Sequence, residues 1–107
     1  MQIAIILTRT PAETGFNTFL KFASIYAGKE ELTAYFVGNG IFSAIKGHSK
    51  ESEIKKLIEN SSIYVYLDDM EARGVSKEDL IDGMLIFESY DNIVVNIMEN
   101  KDQILSF

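Results

Sequence analysis

The sequence predicts an α/β fold, a three-layer α/β/α sandwich around a parallel β-sheet, in a single domain spanning residues 1–107. Three observations predict it. Apolar runs alternate with helical patterns from one end to the other. The runs are continuous rather than alternating, as in strands covered on both faces. The chain has 107 residues, which fits one domain and leaves no room for a second.

Ile3 to Leu7 is the first run, rich in β-branched residues. Leu32 to Val37, Ile63 to Leu67, Met84 to Phe87 and the short Ile104-Leu105 follow. Between the first two, Phe16, Phe19, Leu20, Ala23, Tyr26 and Ala27 keep helical spacing, and Gly28 is placed to stop that helix. Asn39-Gly40, expected to form a tight turn with a positive φ at Gly40, opens a short helix, Ile41 to Ile45, closed by Gly47. Ile54, Leu57 and Ile58 mark another, with Glu51 and Glu53 at its positive end. Ser76, followed by Glu78 and Asp79, has the pattern of an N-cap for a short helix over Lys77 to Ile81. Ile93, Val94, Ile97 and Met98 mark the last helix. Pro11, the single proline, falls in the loop after the first run.

A net charge of −6 argues against direct binding of nucleic acid, which needs clustered Lys and Arg. No apolar run approaches the ~20 residues that span a membrane. The N-terminus reads as a strand and lacks the basic region and cleavage site of a signal peptide, so a cytoplasmic location is expected. There is no cysteine, hence no disulfide and no thiolate nucleophile.

In an open parallel sheet, ligands bind beyond the carboxyl ends of the strands. Thr8 to Thr18, Gly38-Asn39-Gly40 and Asp68 to Gly74 are the segments expected there. Thr14-Gly15-Phe16-Asn17-Thr18 has hydroxyls and a glycine near a helix start, the elements with which flavodoxins hold a phosphate. The plainer reading is an N-cap at Thr14 or Asn17. Together with Gly38 to Gly40 this loop supports an alternative function as a small-molecule, nucleotide or flavin-binding module.

Asp68 and Asp69 stand where a receiver domain has its phospho-acceptor. That chemistry also needs an acidic pair after the first strand and a lysine after the fifth, and Thr8-Arg9 and Ser106-Phe107 stand there instead. A solvated turn in which an Asp pairs with Arg73 is the favoured reading. His48 is the single histidine and is expected at the surface. With no second His and no Cys, no metal site is marked. No Gly-x-Ser-x-Gly elbow occurs. Tyr64, Tyr66, Phe36 and Phe42 read as core or subunit interface, because base-stacking aromatics come with basic neighbours.

Two segments carry a family resemblance. Glu31 to Gly47 resembles the strand, G-[DN]-G turn and short helix of the DsrE/DsrF/DsrH superfamily. Ile63 to Val75 resembles its strand that ends in an A-R-G-[VIL] turn. The tail from Tyr90 to Phe107 is similar to the DsrH/TusB branch. The resemblance implies five parallel strands with the last on the edge beside the first. It also implies a sulfur-relay role within oligomers, feeding tRNA 2-thiouridine synthesis or sulfur oxidation.

In carrier members the persulfide-bearing cysteine lies a few residues before the R-G turn. Counting back from Arg73-Gly74 without gaps puts Tyr66 near that place. A tyrosine cannot hold a persulfide, so the resemblance implies a non-carrier subunit with docking duties and without independent catalysis. Its expected functional edge is Gly38, Asn39, Gly40, Tyr66, Asp68, Asp69, Arg73 and Gly74, with no cofactor. The expected partners are further copies of the chain or cysteine-bearing DsrE/DsrF-like paralogues. Tyr64, Phe42, Phe87 and Phe107 are the expected apolar interface.

Overall fold

Five strands hydrogen-bond into one all-parallel sheet in the computed structural model, which describes residues 2–91 and 102–107. They are β1 (Gln2–Leu7), β2 (Glu31–Phe36), β3 (Ser62–Tyr66), β4 (Leu85–Phe87) and β5 (Gln103–Ser106). Their order is β4-β3-β2-β1-β5. The chain steps in one direction from β1 to β4, and β5 lies on the far side of β1. This is the parallel α/β sheet expected from the sequence, with the last strand beside the first.

Burial follows position in the sheet. In β1 only Gln2 and Ile6 are less than fully buried, and in β2 only Glu31 is exposed. Nearer the edge, β3 alternates between buried Ile63 and Val65 and half-buried Tyr64 and Tyr66. The edge strand β5 is mostly exposed. Burial on both faces therefore accounts for the apolar runs of β1 and β2, while those of β3, β4 and β5 lie in strands that are partly exposed.

Successive residues point to opposite faces, and the two faces differ. Ile3, Ile5, Leu7, Leu32, Ala34, Phe36, Ile63 and Val65 build the larger core. The other face holds Ala4, Tyr35, Val37 and Phe87, with Ile6, Tyr64 and Tyr66 packed against them.

Two helices cover the larger core. Helix α1 (Thr14–Tyr26) buries Phe16, Phe19, Leu20 and Ala23, the stripe read from the sequence. It stops two residues before Gly28, which has a φ of +85°. Helix α2 (Glu51–Asn60) buries Ile54 and Leu57. The Glu51 carboxylate accepts the Gly47 N–H at 2.8 Å and pairs with Lys55 at 3.2 Å. Those two contacts hold its carboxyl below the ordinary value.

Several local expectations need correction. Neither Thr14 nor Asn17 caps α1: the cap position is Glu13, and Thr14 is already helical. The helix after Asn39-Gly40 is a 3-10 helix that starts at Gly38 and runs to Ala44. The Ser76 cap exists, and its N–H and hydroxyl both donate to Asp79, at 2.9 and 3.0 Å, but the helix it starts is a single 3-10 turn, Lys77–Asp79. The segment after β3, read as a turn, is a helix, α3 (Leu67–Ala72).

His48 is half-buried rather than superficial. Its Nδ1 accepts the Lys50 N–H at 3.0 Å, which leaves Nε2 as donor to the Ser43 carbonyl at 2.8 Å. The expected helix at Ile93, Val94, Ile97 and Met98 lies outside the described residues.

Gly40 fixes how closely the 3-10 helix approaches the sheet. A Cβ there would overlap the Leu7 carbonyl oxygen at the end of β1. The obstacle is backbone and cannot swing away. Gly40 has no positive φ, so close approach, not the expected tight turn, requires the glycine. Gly40→Val is expected to destabilise the fold by about 1–3 kcal/mol or more, the range for overpacking. Thermal unfolding measures this, and an unchanged midpoint would contradict it.

Candidate functional site

The carboxyl end of the sheet is organised by the turn after β2. The Val37 N–H still donates to the Leu7 carbonyl at 3.0 Å. Gly38 then takes a φ of +55°, a conformation glycine adopts without the Cβ penalty. The chain breaks away from β1 and enters the 3-10 helix, where the Gly40 N–H donates to the Val37 carbonyl at 2.9 Å. This leaves the Gly38 N–H pointing away from the ladder. It donates to Oδ2 of Asp69 at 2.7 Å.

Asp69 reaches that position because α3 begins directly after β3. Two acids in the first turn, Asp68 and Asp69, suit the positive end of a helix. The helix ends in a paired cap. The Val75 N–H donates to the Met70 carbonyl at 2.9 Å and the Gly74 N–H to that of Glu71 at 3.2 Å. This is the Schellman arrangement, in which the residue after the cap is left-handed, and Gly74 has a φ of +67°. Buried Met70 and partly buried Val75 lie in the same core, supplying the apolar contact that accompanies such a cap. The A-R-G-[VIL] motif thus has a physical meaning: Gly74 makes the cap and Val75 anchors it.

Arg73, at the cap, turns back over the helix. It donates to the Asp69 carbonyl at 3.1 Å and faces its carboxylate at 3.6 Å. It also donates to Oδ1 of Asn39 at 3.3 Å. Gly38, Asn39, Asp69 and Arg73 are therefore one bonded unit linking the β2 turn to α3. The expected pairing of an Asp with Arg73 is present, within a helix rather than a turn.

Tyr66, the last residue of β3, belongs to an adjoining aromatic group. Its ring stacks on Phe87 with centroids 4.9 Å apart and meets Tyr90 at 4.3 Å. Tyr35 stacks on Tyr64 at 5.6 Å and meets Phe87 edge-on at 6.0 Å. The Tyr66 hydroxyl donates to Oδ2 of Asp68 at 3.0 Å. That bond first, then burial and the nearby carboxylates, raises its ionisation above the ordinary phenol value. Burial, then the charge of Asp69, raises that of Tyr90. At neutral pH both hydroxyls keep their protons, so Tyr66 acts as a hydrogen-bond donor and not as a phenolate nucleophile.

The structure brings all eight residues of the expected edge to the carboxyl side of the sheet, Gly40 by its contact with Leu7 and Gly74 through the α3 cap. Sequence reasoning missed Tyr90, which closes the aromatic group. The spacing from Phe87 at the end of β4 was the available signal. The Thr14–Thr18 segment is differently employed. Gly15 is covered by the Arg9 side chain, and the Gly38 N–H that a phosphate would use already binds a carboxylate.

The expected apolar interface is not one surface. Phe42 is 39% exposed and Phe87 only 8%. Phe107 packs on Phe19 and Phe22, in the larger core across the sheet.

The raised phenol is directly measurable. Subtracting the near-ultraviolet alkaline titration of Tyr66→Phe from that of the wild type should isolate a phenol ionising above the ordinary tyrosine value. Asp68→Asn should move it back towards that value. Linkage follows the same sign: the contribution to stability is present below the ordinary phenol range and lost as pH rises through the raised value. A difference curve centred on the ordinary value would contradict the hydrogen bond.

The chain resembles solved structures over nearly its whole length. MTH1491 from Methanobacterium thermoautotrophicum, a protein of unknown function, matches with a TM-score of 0.85 at 12% identity, covering 97% of each chain. The ychN protein from E. coli matches at 0.79 and 18% identity over 100% of both chains. BT1422 from Bacteroides thetaiotaomicron, also of unknown function, matches at 0.82 and 18%, covering 99% of this chain and 94% of that one. At these identities the likeness establishes the fold. No curated protein matches the chain. The family model described as DsrH like protein matches residues 9–103, a span that holds both the Gly38–Gly40 turn and the Asp69–Arg73 helix cap, and the chain belongs to that DsrH-like family.

Proposed function

We propose that this chain is a non-carrier subunit of a cytoplasmic sulfur-relay-type complex, serving docking and structure rather than sulfur transfer. The complex would feed tRNA 2-thiouridine synthesis or sulfur oxidation. The observation that carries this reading is chemical. The chain contains no cysteine, and a persulfide forms only on a thiolate sulfur. At the end of β3, where the carrier cysteine is placed by counting back from the R-G turn, stands Tyr66, its hydroxyl tied to Asp68.

The surroundings of Tyr66 support a recognition role. Asp69, Arg73 and Asn39 bond to one another and to the Gly38 turn, so they hold the edge in shape. Its partners on this reading are further copies of the chain or cysteine-bearing relatives of the DsrE/DsrF type. No described helix is long and apolar enough to cross a membrane.

Two measurements test the proposal together. Incubated with a cysteine desulfurase and radiolabelled cysteine, the purified chain should take up no protein-bound sulfur, alone or mixed with cysteine-bearing relatives. Its mass in solution should exceed that of one chain, by self-association or with such a relative. Transfer of label to this chain, or a monomer that associates with none of them, would overturn the proposal.

A further inference from the structure

The edge that Tyr66 belongs to is unequal in its bonding. Asp69, Arg73, Asn39 and the Gly38 N–H satisfy one another. Asp68 is exposed and is bonded to the Tyr66 hydroxyl, so its carboxylate keeps acceptor capacity for another donor. Beside it lies an apolar surface. Tyr90 is 47% exposed and its ring meets that of Tyr66. Leu85, 45% exposed, stands opposite half-buried Tyr64 in the β3–β4 register and continues this surface along the edge strand.

Glu88 and Asp91, both exposed, flank Tyr90 in the chain and add to the negative sign at this edge. Arg73, at this edge, is already committed to Asp69 and Asn39. On α1 and α2, which pack on the opposite face, Lys21, Lys55 and Lys56 are balanced by Glu51, Glu53 and Glu59. An exposed aromatic ring next to a carboxylate is the complement of a guanidinium or ammonium, which gains from the ring face and the negative charge together. Two copies meeting symmetrically through this edge would bring Asp68, Glu88 and Asp91 of one copy together with those of the other. Like charges across an interface are costly.

We propose that the Leu85–Tyr66–Tyr90 edge with Asp68 docks a different, basic chain, which lays an arginine or lysine side chain on the tyrosine pair against the Asp68 carboxylate. This rests on the docking reading above and names the chemistry of the partner for that site.

The test measures association of the full-length chain with each cysteine-bearing relative, using wild type, Asp68→Lys and Tyr90→Ala. Both substitutions are at exposed positions. Asp68→Asn, with nearly unchanged shape, guards against misfolding, which circular dichroism checks. The expected result is a binding relative whose dissociation constant rises about tenfold or more with Asp68→Lys, and less with Asp68→Asn. Tyr90→Ala should also weaken it, added salt should weaken the wild-type complex, and an Arg→Glu change in the partner should restore binding to Asp68→Lys.

A relative that binds all variants alike would overturn the docking edge and leave the sulfur-relay reading standing. A self-assembly broken by Asp68→Lys, with no relative bound, would overturn the basic partner in favour of a second copy. No association of any kind would overturn both.

Discussion

The Asp69 carboxylate takes the Gly38 N–H at 2.7 Å and lies 3.6 Å from the Arg73 guanidinium, so one side chain ties the turn after β2 to the helix after β3. The two contacts differ in weight. A hydrogen bond to a charged group is worth roughly 1.5–3 kcal/mol. A partly exposed ion pair is worth about 0–1 kcal/mol. The Gly38 bond is therefore the stronger constraint, and Arg73 serves mainly to orient the carboxylate and to reach Asn39. Gly38 can turn away from β1 because the N–H it frees is received by Asp69. The same turn sends Gly40 against the Leu7 carbonyl, where any side chain would push the 3-10 helix off the sheet.

That constraint bears on function. With its own groups bonding one another, the centre of the edge is stiff and its shape is set before any partner arrives. Preorganisation of this kind lowers the ordering cost of binding. What remains for recognition lies just outside the bonded unit, on the aromatic rings of Tyr66 and Tyr90 and the carboxylate of Asp68. The phenol at the end of β3 keeps its proton, and the chain has no thiol. Both facts fit a part that holds rather than a part that transfers.

Much of the fold could be read from residue pattern. The apolar runs located all five strands, because burial leaves little room for polar residues in β1 and β2 and favours apolar ones even in the partly exposed β3, β4 and β5. The α1 stripe was legible for the same reason. Helix α3 was not, since its six residues are too few to show a period, and its apolar anchors, Met70 and Val75, straddle a glycine cap. Gly40 was singled out for the wrong cause: φ is a local property that a turn motif suggests, whereas contact with Leu7 joins residues 33 positions apart. Asp69 and Arg73 were picked out, yet their bonds to Gly38 and Asn39 join separate loops, and no spacing along the chain encodes that. Tyr90 became part of the site only through the packing of β4 beside β3.

The most direct measurement of this preset edge is hydrogen exchange at the Gly38 amide, followed by NMR in the wild type and in Asp69→Ala. If the carboxylate holds the turn, that amide in the wild type exchanges as slowly as the amides of β1 and β2, opening only with the sheet, and Asp69→Ala releases it to loop-like rates. A Gly38 amide that exchanges freely in the wild type, or whose protection survives the loss of Asp69, would contradict an edge shaped in advance for a partner.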